Sequence, residues 1–284
     1  MYSVSNDEAG FRASNSIFGD RVSASRLAQN TANFYYGVDD REATSNTTGT
    51  GTVTITGNTG FENLLTIQTG TTAASTADIE SNEPARYIPG YEIGFLFNTI
   101  FIPPTGDGKV TIGLLDANKN GIFVGFREVD GEQTFGFGRF KDETEYFIPQ
   151  SEFNVDKLDG TGESCCNVDF TKGNLWRIRF GVGFKPPVLE FLTPEGRFVL
   201  LHRIEYPNSS DETLISTSFL NPRVEVENGT TAENVGMKHA SFNVYTLDGD
   251  SVNVNNRNFT LGLNGSLASG AYARRNVVAF RNSG

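Results

Sequence analysis

Three carboxylates occupy alternate positions in the stretch EVDGE: Glu128, Asp130 and Glu132. Successive side chains of a β-strand point to opposite faces, so all three would share one face if this stretch were extended. A retaining glycosidase needs a nucleophilic carboxylate and an acid/base carboxyl group roughly 5–5.5 Å apart, which alternate strand residues can supply. The stretch is therefore a candidate catalytic site for glycoside hydrolysis.

The same stretch resembles the catalytic strand of the laminarinase-like glycoside hydrolases, which are jelly rolls. That resemblance implies Glu128 as the nucleophile and Glu132 as the acid/base, with Asp130 between them. The sequence departs from the family at Gly131, where the family has an apolar residue that keeps the strand extended. Asp-Gly strongly favours a two-residue hairpin turn, which would put Glu128 and Glu132 on opposite arms. The hairpin is the favoured interpretation, and the enzyme is the alternative.

A second stretch, LLDANKNGIFVGF, begins like the loop of a calcium-binding EF-hand. Asp116, Asn118 and Asn120 alternate and Gly121 follows, but the twelfth position, which needs a bidentate carboxylate, holds Arg127. The flanking sequences alternate or run apolar like strands, and Asn-Gly between two such runs is typical of a hairpin. The sequence therefore predicts a tight turn here, and it predicts no metal or cofactor elsewhere.

The cysteines and histidines have ordinary structural interpretations. Cys165 and Cys166 are the only cysteines, and they are adjacent. They could bind a soft metal or form a strained vicinal disulfide, but two buried thiols acting as small hydrophobic groups are favoured. His202 and His239 have no ligand partners at convincing spacing, so they are interpreted as satisfied core or surface residues.

A polar loop at residues 154–162 carries Asp156 and Asp159, whose oxygens could hold an ion. A capped loop without a metal is the more ordinary interpretation. The sequence contains no nucleophile elbow, P-loop or dinucleotide fingerprint.

The stretch LWRIRF contains the single tryptophan, Trp176, together with Arg177 and Arg179. An aromatic ring flanked by two guanidinium groups could form a platform on which a sugar ring stacks. The apolar residues that alternate through the same stretch are equally consistent with packing of the tryptophan in a core.

Composition excludes several classes of protein. The 284 residues include 23 basic and 34 acidic residues, which gives a net charge of −11. This charge argues against a nucleic-acid partner, because affinity for phosphate backbones depends on lysine and arginine. The chain shows no secretory pattern at its N-terminus and no apolar run long enough to span a bilayer. It is expected to be made in a reducing cytoplasm.

The elements that must position these residues are strands. Short stretches rich in Val, Ile, Thr and Phe are punctuated by turn signals such as Asp130-Gly131 and Pro194–Gly196. They predict an all-β chain folded as an antiparallel β-sandwich or jelly roll of concanavalin-like architecture. The near-continuous apolar stretch 91–102 predicts a strand buried on both faces. The Thr-rich stretch 69–82 predicts a loop or a weak edge strand.

Three segments are expected: an arm at 1–45, a β-sandwich at 46–250, and a C-terminal loop with an edge strand at 251–284. The arm is polar, but it carries more apolar groups than a purely solvated tail needs. We interpret it as a segment that docks onto a neighbouring molecule through six residues: Phe11, Ile17, Phe18, Phe34, Tyr35 and Tyr36.

The order of several stretches resembles a group of β-rich virion proteins of tailed phages and large DNA viruses, found or predicted as capsid-surface, fibre or tail-associated components. The stretches are YIPGYEIGFLFNTIF, NGIFVGFREVDGEQTFGF, FNVDKLDGTGES, VDFTKGNLWRIRFGVG and TSFLNPRVEVENG, and together they cover roughly residues 49–248. The most specific is DKLDGTG followed by an aromatic-rich strand. None of them is a catalytic signature.

This resemblance implies a non-enzymatic structural protein that assembles with other virion proteins in the host cytoplasm. It implies a homo-oligomer, with a trimer favoured, and possible contact with a glycan on the host surface. A lectin-like carbohydrate-binding module is the first alternative, and the glycoside hydrolase is the second.

Overall fold

Two antiparallel sheets pack face to face as a β-sandwich. The structure, a computed structural model, describes residues 14–15, 21–22, 25–56, 63–87, 91–181 and 185–248. These residues form strands and two short 3-10 helices, at Phe34–Tyr36 and Gln150–Glu152, and none of them lies in an α-helix. The expectation of an all-β antiparallel sandwich is confirmed.

The strands are, in chain order, β1 Ser14–Asn15, β2 Arg21–Val22, β3 Ser25–Asn33, β4 Ala43–Thr48, β5 Thr52–Thr56, β6 Leu64–Gln68, β7 Thr76–Ser81, β8 Ala85–Arg86, β9 Glu92–Ile102, β10 Lys109–Leu115, β11 Gly121–Val129, β12 Glu132–Lys141, β13 Thr144–Pro149, β14 Asn174–Phe180, β15 Val188–Leu192, β16 Phe198–Arg203, β17 Phe219–Glu227, β18 Gly236–His239 and β19 Ser241–Asp248.

The first sheet has the order β13-β12-β11-β10-β17-β7-β4, and β8 pairs with one end of β17. The second sheet has the order β16-β15-β14-β9-β18-β6-β5, and β19 lies between β9 and β3. β1 and β2 form a separate two-stranded ribbon.

The core lies between the two sheets and is dominated by aromatic and branched residues. The strands of the two sheets contribute inward-facing side chains to it, as the two-residue period of a strand requires. The largest side chains that are almost fully buried are Trp176, Phe95, Phe97, Phe101, Phe123, Phe135, Phe137 and Phe180; of these, all but Phe123 belong to the core between the sheets.

The predicted hairpins are present. Asp130 and Gly131 join β11 to β12 with φ values of 53° and 84°, the left-handed conformation that a two-residue turn of this kind requires. The turn at Pro194–Gly196 joins β15 to β16.

Two predictions about individual strands were wrong. The stretch that was expected to form a loop or weak edge contains β7, which lies inside the first sheet between β17 and β4. β9 is buried only on its inner face along most of its length, because Leu96, Asn98 and Ile100 on its outer face are partly exposed.

Part of the predicted assembly arm belongs to the sandwich itself. β3 pairs along its length with β19 in the second sheet, and the chain then passes to β4 at the edge of the first sheet. Phe34, between these two strands, is a member of the core. The predicted boundary between an arm and a sandwich at residues 45 and 46 is therefore wrong, since the sandwich includes residues from Ser25 onwards.

Of the remaining residues predicted for the arm, the structure describes the side chain of Tyr35. Tyr35 is 41% exposed at the surface. Phe11, Ile17, Phe18 and the side chain of Tyr36 lie outside the described residues, as does the predicted C-terminal segment 251–284.

Candidate functional site

The outer face of the first sheet carries a row of polar side chains on β17, β7 and β4, the three strands at one end of the sheet. On β17, Leu220, Pro222, Val224 and Val226 point into the core, so the alternate residues Asn221, Arg223, Glu225 and Glu227 point outward. On β7, which is paired with β17, Asp78 and Glu80 point outward in the same way, and Asn46 on β4 lies opposite Asp78. We call these seven outward side chains the polar face: Asn46, Asp78, Glu80, Asn221, Arg223, Glu225 and Glu227.

The register places unlike residues side by side across the two strands. Arg223 lies opposite Glu80, and Glu225 lies opposite Asp78. The guanidinium group of Arg223 lies 3.8 Å from a carboxylate oxygen of Asp78, 3.6 Å from one of Glu80 and 3.8 Å from one of Glu225. These distances exceed those of hydrogen bonds, and the buried Nε of Arg223 has no hydrogen-bond partner.

The amides and one lysine complete the face. The Nδ2 of Asn46 donates to Asp78 at 3.2 Å, and the Nδ2 of Asn221 donates to the carbonyl oxygen of Ser81 at 2.7 Å. Lys119 lies 3.6 Å from Glu227. With four carboxylates against Arg223 and Lys119, the formal charge of this surface is −4 + 2 = −2.

The carboxyl groups of the polar face differ in acidity. Burial raises the pKa of Glu225, with Arg223 opposing the shift and the negative charge of Glu227 reinforcing it. Burial likewise raises the pKa of Glu80, against the effect of Arg223 and with reinforcement from Asp78 and Asp116. The face therefore offers partly desolvated oxygens that can accept hydrogen bonds. Arg223 is the only basic residue of β17.

An exposed aromatic side chain ends the row. Phe219 is the first residue of β17, shares the outward side with Asn221 and Arg223, and is 54% exposed. A ring of this kind next to amide and carboxylate groups provides one apolar surface and several directional acceptors. A saccharide offers the complementary groups, a ring face with C–H bonds and a rim of hydroxyl donors.

Trp176 is not a surface platform. It is 0% exposed, and its indole Nε1 donates a hydrogen bond of 2.8 Å to the hydroxyl of Thr99. The prediction of glycan contact through Trp176 is wrong, because the alternation of β14 turns the ring into the core and the two arginines outward.

Arg177 and Arg179 belong to an ion-pair network on the outer face of the second sheet. Arg179 contacts both carboxylate oxygens of Glu190 at 2.9 Å and Glu92 at 2.9 Å, while Arg177 contacts Glu190 at 2.5 Å. Lys185 also contacts Glu92, which is 1% exposed. Burial raises the pKa of Glu190, but the two guanidinium groups outweigh it and lower that pKa. Both arginines are thus paired with carboxylates of the protein rather than arranged around an exposed tryptophan.

The three carboxylates of EVDGE do not form a catalytic strand. Glu128 lies opposite Gln133 and Val129 opposite Glu132, so Glu128 and Glu132 stand on different arms of the hairpin, with Asp130 in its turn. All three are exposed. The hairpin interpretation is confirmed.

The candidate metal loops are capped by their own backbone. One carboxylate oxygen of Asp116 accepts from the backbone N–H groups of Asn118 at 2.9 Å and Asn120 at 2.7 Å. The buried carboxylate of Asp156 accepts from the N–H groups of Leu158 and Ser164, each at 2.9 Å. Among the described residues, no group of three or more His, Cys, Asp or Glu side chains is placed to hold a metal ion.

The two histidines are buried, so the core interpretation holds, but Nε2 of His239 has no hydrogen-bond partner and the expectation of a satisfied side chain fails there. The cysteines also differ from expectation. His202 and His239 both have lowered pKa values, and burial is the larger cause for each. Cys165 is exposed and Cys166 is partly buried, so the prediction of two buried thiols was wrong. Cys165 has a positive φ of 53°, and its N–H donates to the carbonyl oxygen of Gly162 at 3.0 Å.

The polar face escapes sequence-based prediction for two reasons. β7 lies in the Thr-rich stretch 69–82, whose composition favours a loop or a weak edge strand, and Pro222 interrupts the strand pattern of β17. Pro222 is tolerated because neither β7 nor β8 pairs with β17 at this position. β7 pairs with β17 only from Arg223 onwards, and β8 pairs with β17 only up to Leu220. The strict alternation around Pro222 was the signal that could have identified the strand.

Comparison with known proteins gives similar structures but no related sequence family. No family model matches the chain, and no curated protein matches its sequence. A legume lectin-like domain from Entamoeba histolytica is 16% identical, with 72% of this chain and 90% of that chain covered and a TM-score of 0.40. A seed lectin of Lotus tetragonolobus is 11% identical, with coverage of 77% and 99% and a TM-score of 0.46.

A structure of botulinum neurotoxin type C is 14% identical over 76% of this chain, with a TM-score of 0.42. Cell entry of that toxin depends on interaction with two ganglioside molecules. The match covers 46% of the toxin chain, so this protein spans about half of its length.

Within the part of the chain that the structure describes, no helix has the length and apolar character of a membrane span. The chain is thus a jelly-roll-like antiparallel β-sandwich, an assignment that rests on its own two sheets and their strand order.

Proposed function

We propose that the protein is a non-enzymatic carbohydrate-binding module whose ligand lies on the polar face and stacks on Phe219. The observation that carries the proposal is the row on β17, in which an exposed aromatic ring is followed by Asn221, Arg223 and Glu225 on one side of the sheet. Carboxylate and amide oxygens accept hydrogen bonds from sugar hydroxyls, while Arg223 can donate to a ring or glycosidic oxygen.

The charge of the polar face selects among saccharides. The polar face and the adjacent Lys119 together carry a formal charge of −2, which repels sialylated and sulfated glycans, as does the net charge of −11 of the whole chain. Neutral saccharides meet no such repulsion, and an amino sugar would bring an ammonium group to the carboxylates. We therefore infer that the ligand is a neutral or amino-bearing saccharide.

The test is binding of the intact protein to an array that carries neutral, amino-bearing, sialylated and sulfated glycans. We expect retention on members of the first two classes. Replacing Glu225 by Gln or Phe219 by Ala should weaken that binding by about tenfold, because each change removes an interaction worth on the order of 1–2 kcal/mol.

The matched control is Glu128→Gln, an exposed carboxylate on the β11–β12 hairpin that lies outside the polar face. It should bind like the unaltered protein. Binding that is lost in the control as well, or that is unchanged in both site variants, would reject the polar face as the binding site. Absence of binding to every glycan class would reject the proposed function.

We further propose that this module is a component of a virion, assembled in the host cytoplasm with other virion proteins and present as a homo-oligomer, with a trimer favoured. The support is the order of turn and strand sequences across residues 49–248 that resembles capsid-surface, fibre and tail-associated proteins. Peptide mass spectrometry of gradient-purified particles provides the test. Recovery at a fixed copy number relative to the main shell protein is expected, and recovery only from the free lysate would contradict this assignment.

A further inference from the structure

Residues 25–45 form a strap that connects the two sheets. β3 pairs only with β19, at the edge of the second sheet, and β4 pairs only with β7, at the edge of the first. Side chains of the strap also reach the β7–β8 region. The Nδ2 of Asn30 donates to the hydroxyl of Ser81 at 2.8 Å, and the Oε1 of Gln29 accepts from the N–H of Arg86 at 2.8 Å.

The strap inserts Phe34 between the sheets. Phe34 lies against His239, with ring centroids 5.5 Å apart, and against Phe242, with centroids 6.1 Å apart. These three residues line a small internal cavity together with residues from both sheets, including Ile79 and Phe95. Phe34 is thus the one large side chain that the strap contributes to the cavity wall, beside the methyl group of Ala43.

His239 is buried there with one ring nitrogen unsatisfied. Its Nδ1 lies 2.6 Å from the carbonyl oxygen of Asn98, which can only accept, so Nδ1 carries the proton of the neutral ring. The other nitrogen, Nε2, is buried and has no hydrogen-bond partner, and the residue is 1% exposed. A second proton on Nε2 would place a charge and an unpaired donor among apolar side chains.

Within the described part of the chain, the cavity wall contributes no acidic side chain that could stabilise that proton. Among the described residues that line the cavity, on β4, β7, β9, β10, β17, β19 and the 3-10 helix, Arg223 is the charged one. Its guanidinium group lies near the carboxylates of the polar face, and its own charge is positive. Burial accordingly lowers the pKa of His239 to about 4, although the hydrogen bond to Asn98 acts in the opposite direction.

We propose that the strap is an acid-released clasp: protonation of His239 expels Phe34 from the cavity and detaches residues 25–45 from the sandwich. The strap moves in preference to the histidine because β18, which carries His239, is paired on both sides by β6 and β9. β3 and residues 43–45 of β4 each lose only one partner strand when they detach. The proposal is independent of saccharide binding.

Linkage gives the direction and size of the effect. The open form, in which His239 is hydrated, binds a proton with the ordinary pKa of 6.5, whereas the closed form binds it at about 4. The open form therefore holds more protons between these values, and its population rises as the pH falls through them. Between about pH 7 and pH 4.5 the opening equilibrium should increase roughly fiftyfold.

The test is hydrogen exchange of the full chain, followed by mass spectrometry at about pH 7 and pH 4.5 and corrected for the intrinsic pH dependence of exchange. Peptides from residues 27–36 should exchange roughly fiftyfold faster at the lower pH. Peptides from the β11–β12 hairpin report global opening and should change much less. A rise of equal size in the strap and the hairpin would overturn the proposal, since it would mean unfolding of the whole sandwich.

Two histidine variants separate His239 from the carboxylates that also titrate in this range. His239→Gln cannot gain the proton and should show less than about a threefold change in the strap. His202→Gln, which alters the other buried histidine, should keep the full response. An undiminished response in His239→Gln would overturn the proposal.

A third variant covers the case in which His239→Gln does not fold. In Phe34→Ala the cavity is no longer closed by the ring, so strap exchange should already be fast at pH 7 and should respond weakly to acid. A slow, fully acid-responsive strap in Phe34→Ala would also overturn the proposal.

Discussion

At the scale of the residue, Trp176 is held in the core by a hydrogen bond as well as by apolar contacts. Its ring lies 5.0 Å from those of Phe135 and Phe191 between centroids, and its N–H is paired with Thr99. A buried indole needs such a partner, because an unpaired N–H away from water costs free energy. Thr99 is itself 1% exposed. The buried indole therefore gains a hydrogen-bond acceptor and the buried hydroxyl gains a donor.

We expect Trp176→Phe and Thr99→Val each to lower the free energy of unfolding by about 1–3 kcal/mol, because each leaves the partner's polar group buried and unpaired. The double variant should cost less than the sum of the two by on the order of 1 kcal/mol. Urea unfolding followed by circular dichroism measures all three variants. Strict additivity would contradict the hydrogen bond as the source of the cost.

At the scale of the element, glycines in the first sheet make room for an aromatic ring on its outer face. Phe123 on β11 is 0% exposed although it points away from the core, and it stacks on Phe140 with ring centroids 4.6 Å apart. The guanidinium group of Arg127 lies 4.9 Å from the centre of the same ring. A methyl group added at Gly138 on β12 would lie 2.6 Å from that ring and 2.8 Å from the carbonyl oxygen of Tyr146.

Gly138→Ala should therefore lower the free energy of unfolding by about 1–3 kcal/mol through overpacking. The matched control is Gly173→Ala, because an added methyl group there meets no atom within 4 Å. The control should change stability by less than about 0.5 kcal/mol in the same urea titration. Equal stabilities of the two variants would show that Phe123 can move aside without cost.

At the scale of the whole molecule, the sandwich is closed by a segment that looks like a separate arm in the sequence. The strap supplies β3, the start of β4 and the core residues Phe34 and Ala43. A chain that begins at residue 46 lacks all of these, and β19 would then expose an unpaired edge.

We expect a chain that begins at residue 46 to lose several kcal/mol of unfolding free energy relative to one that begins at residue 25, because buried aromatic residues each contribute about 3 kcal/mol or more when removed. Fluorescence of the single tryptophan during urea unfolding measures both chains. The chain that begins at residue 25 is the control, because it keeps every strand from β3 onwards. Equal unfolding midpoints would restore the boundary at residue 46.

Local patterns in the sequence determined much of the architecture. Two-residue alternation and turn signals at Asn120-Gly121 and Asp130-Gly131 predict strands and hairpins correctly, because strand periodicity and turn conformation depend on neighbouring residues. The turn at the first signal lies at residues 116–120, and Gly121 already belongs to β11. The same local rule explains why Glu128 and Glu132 fall on separate arms. The acidic composition, with its consequence for nucleic-acid binding, is likewise a property of the sequence by itself.

Only the tertiary structure decided which strands are neighbours and which outer surfaces are covered. β7 and β17 are far apart in the chain, yet their pairing puts Asp78 beside Glu225 and creates the polar face. The burial of Phe34 against His239 depends in the same way on strands from both ends of the described chain. Alternation tells which side chains share a face, but pairing between distant strands is set by the packing of the whole core, and no local pattern encodes it.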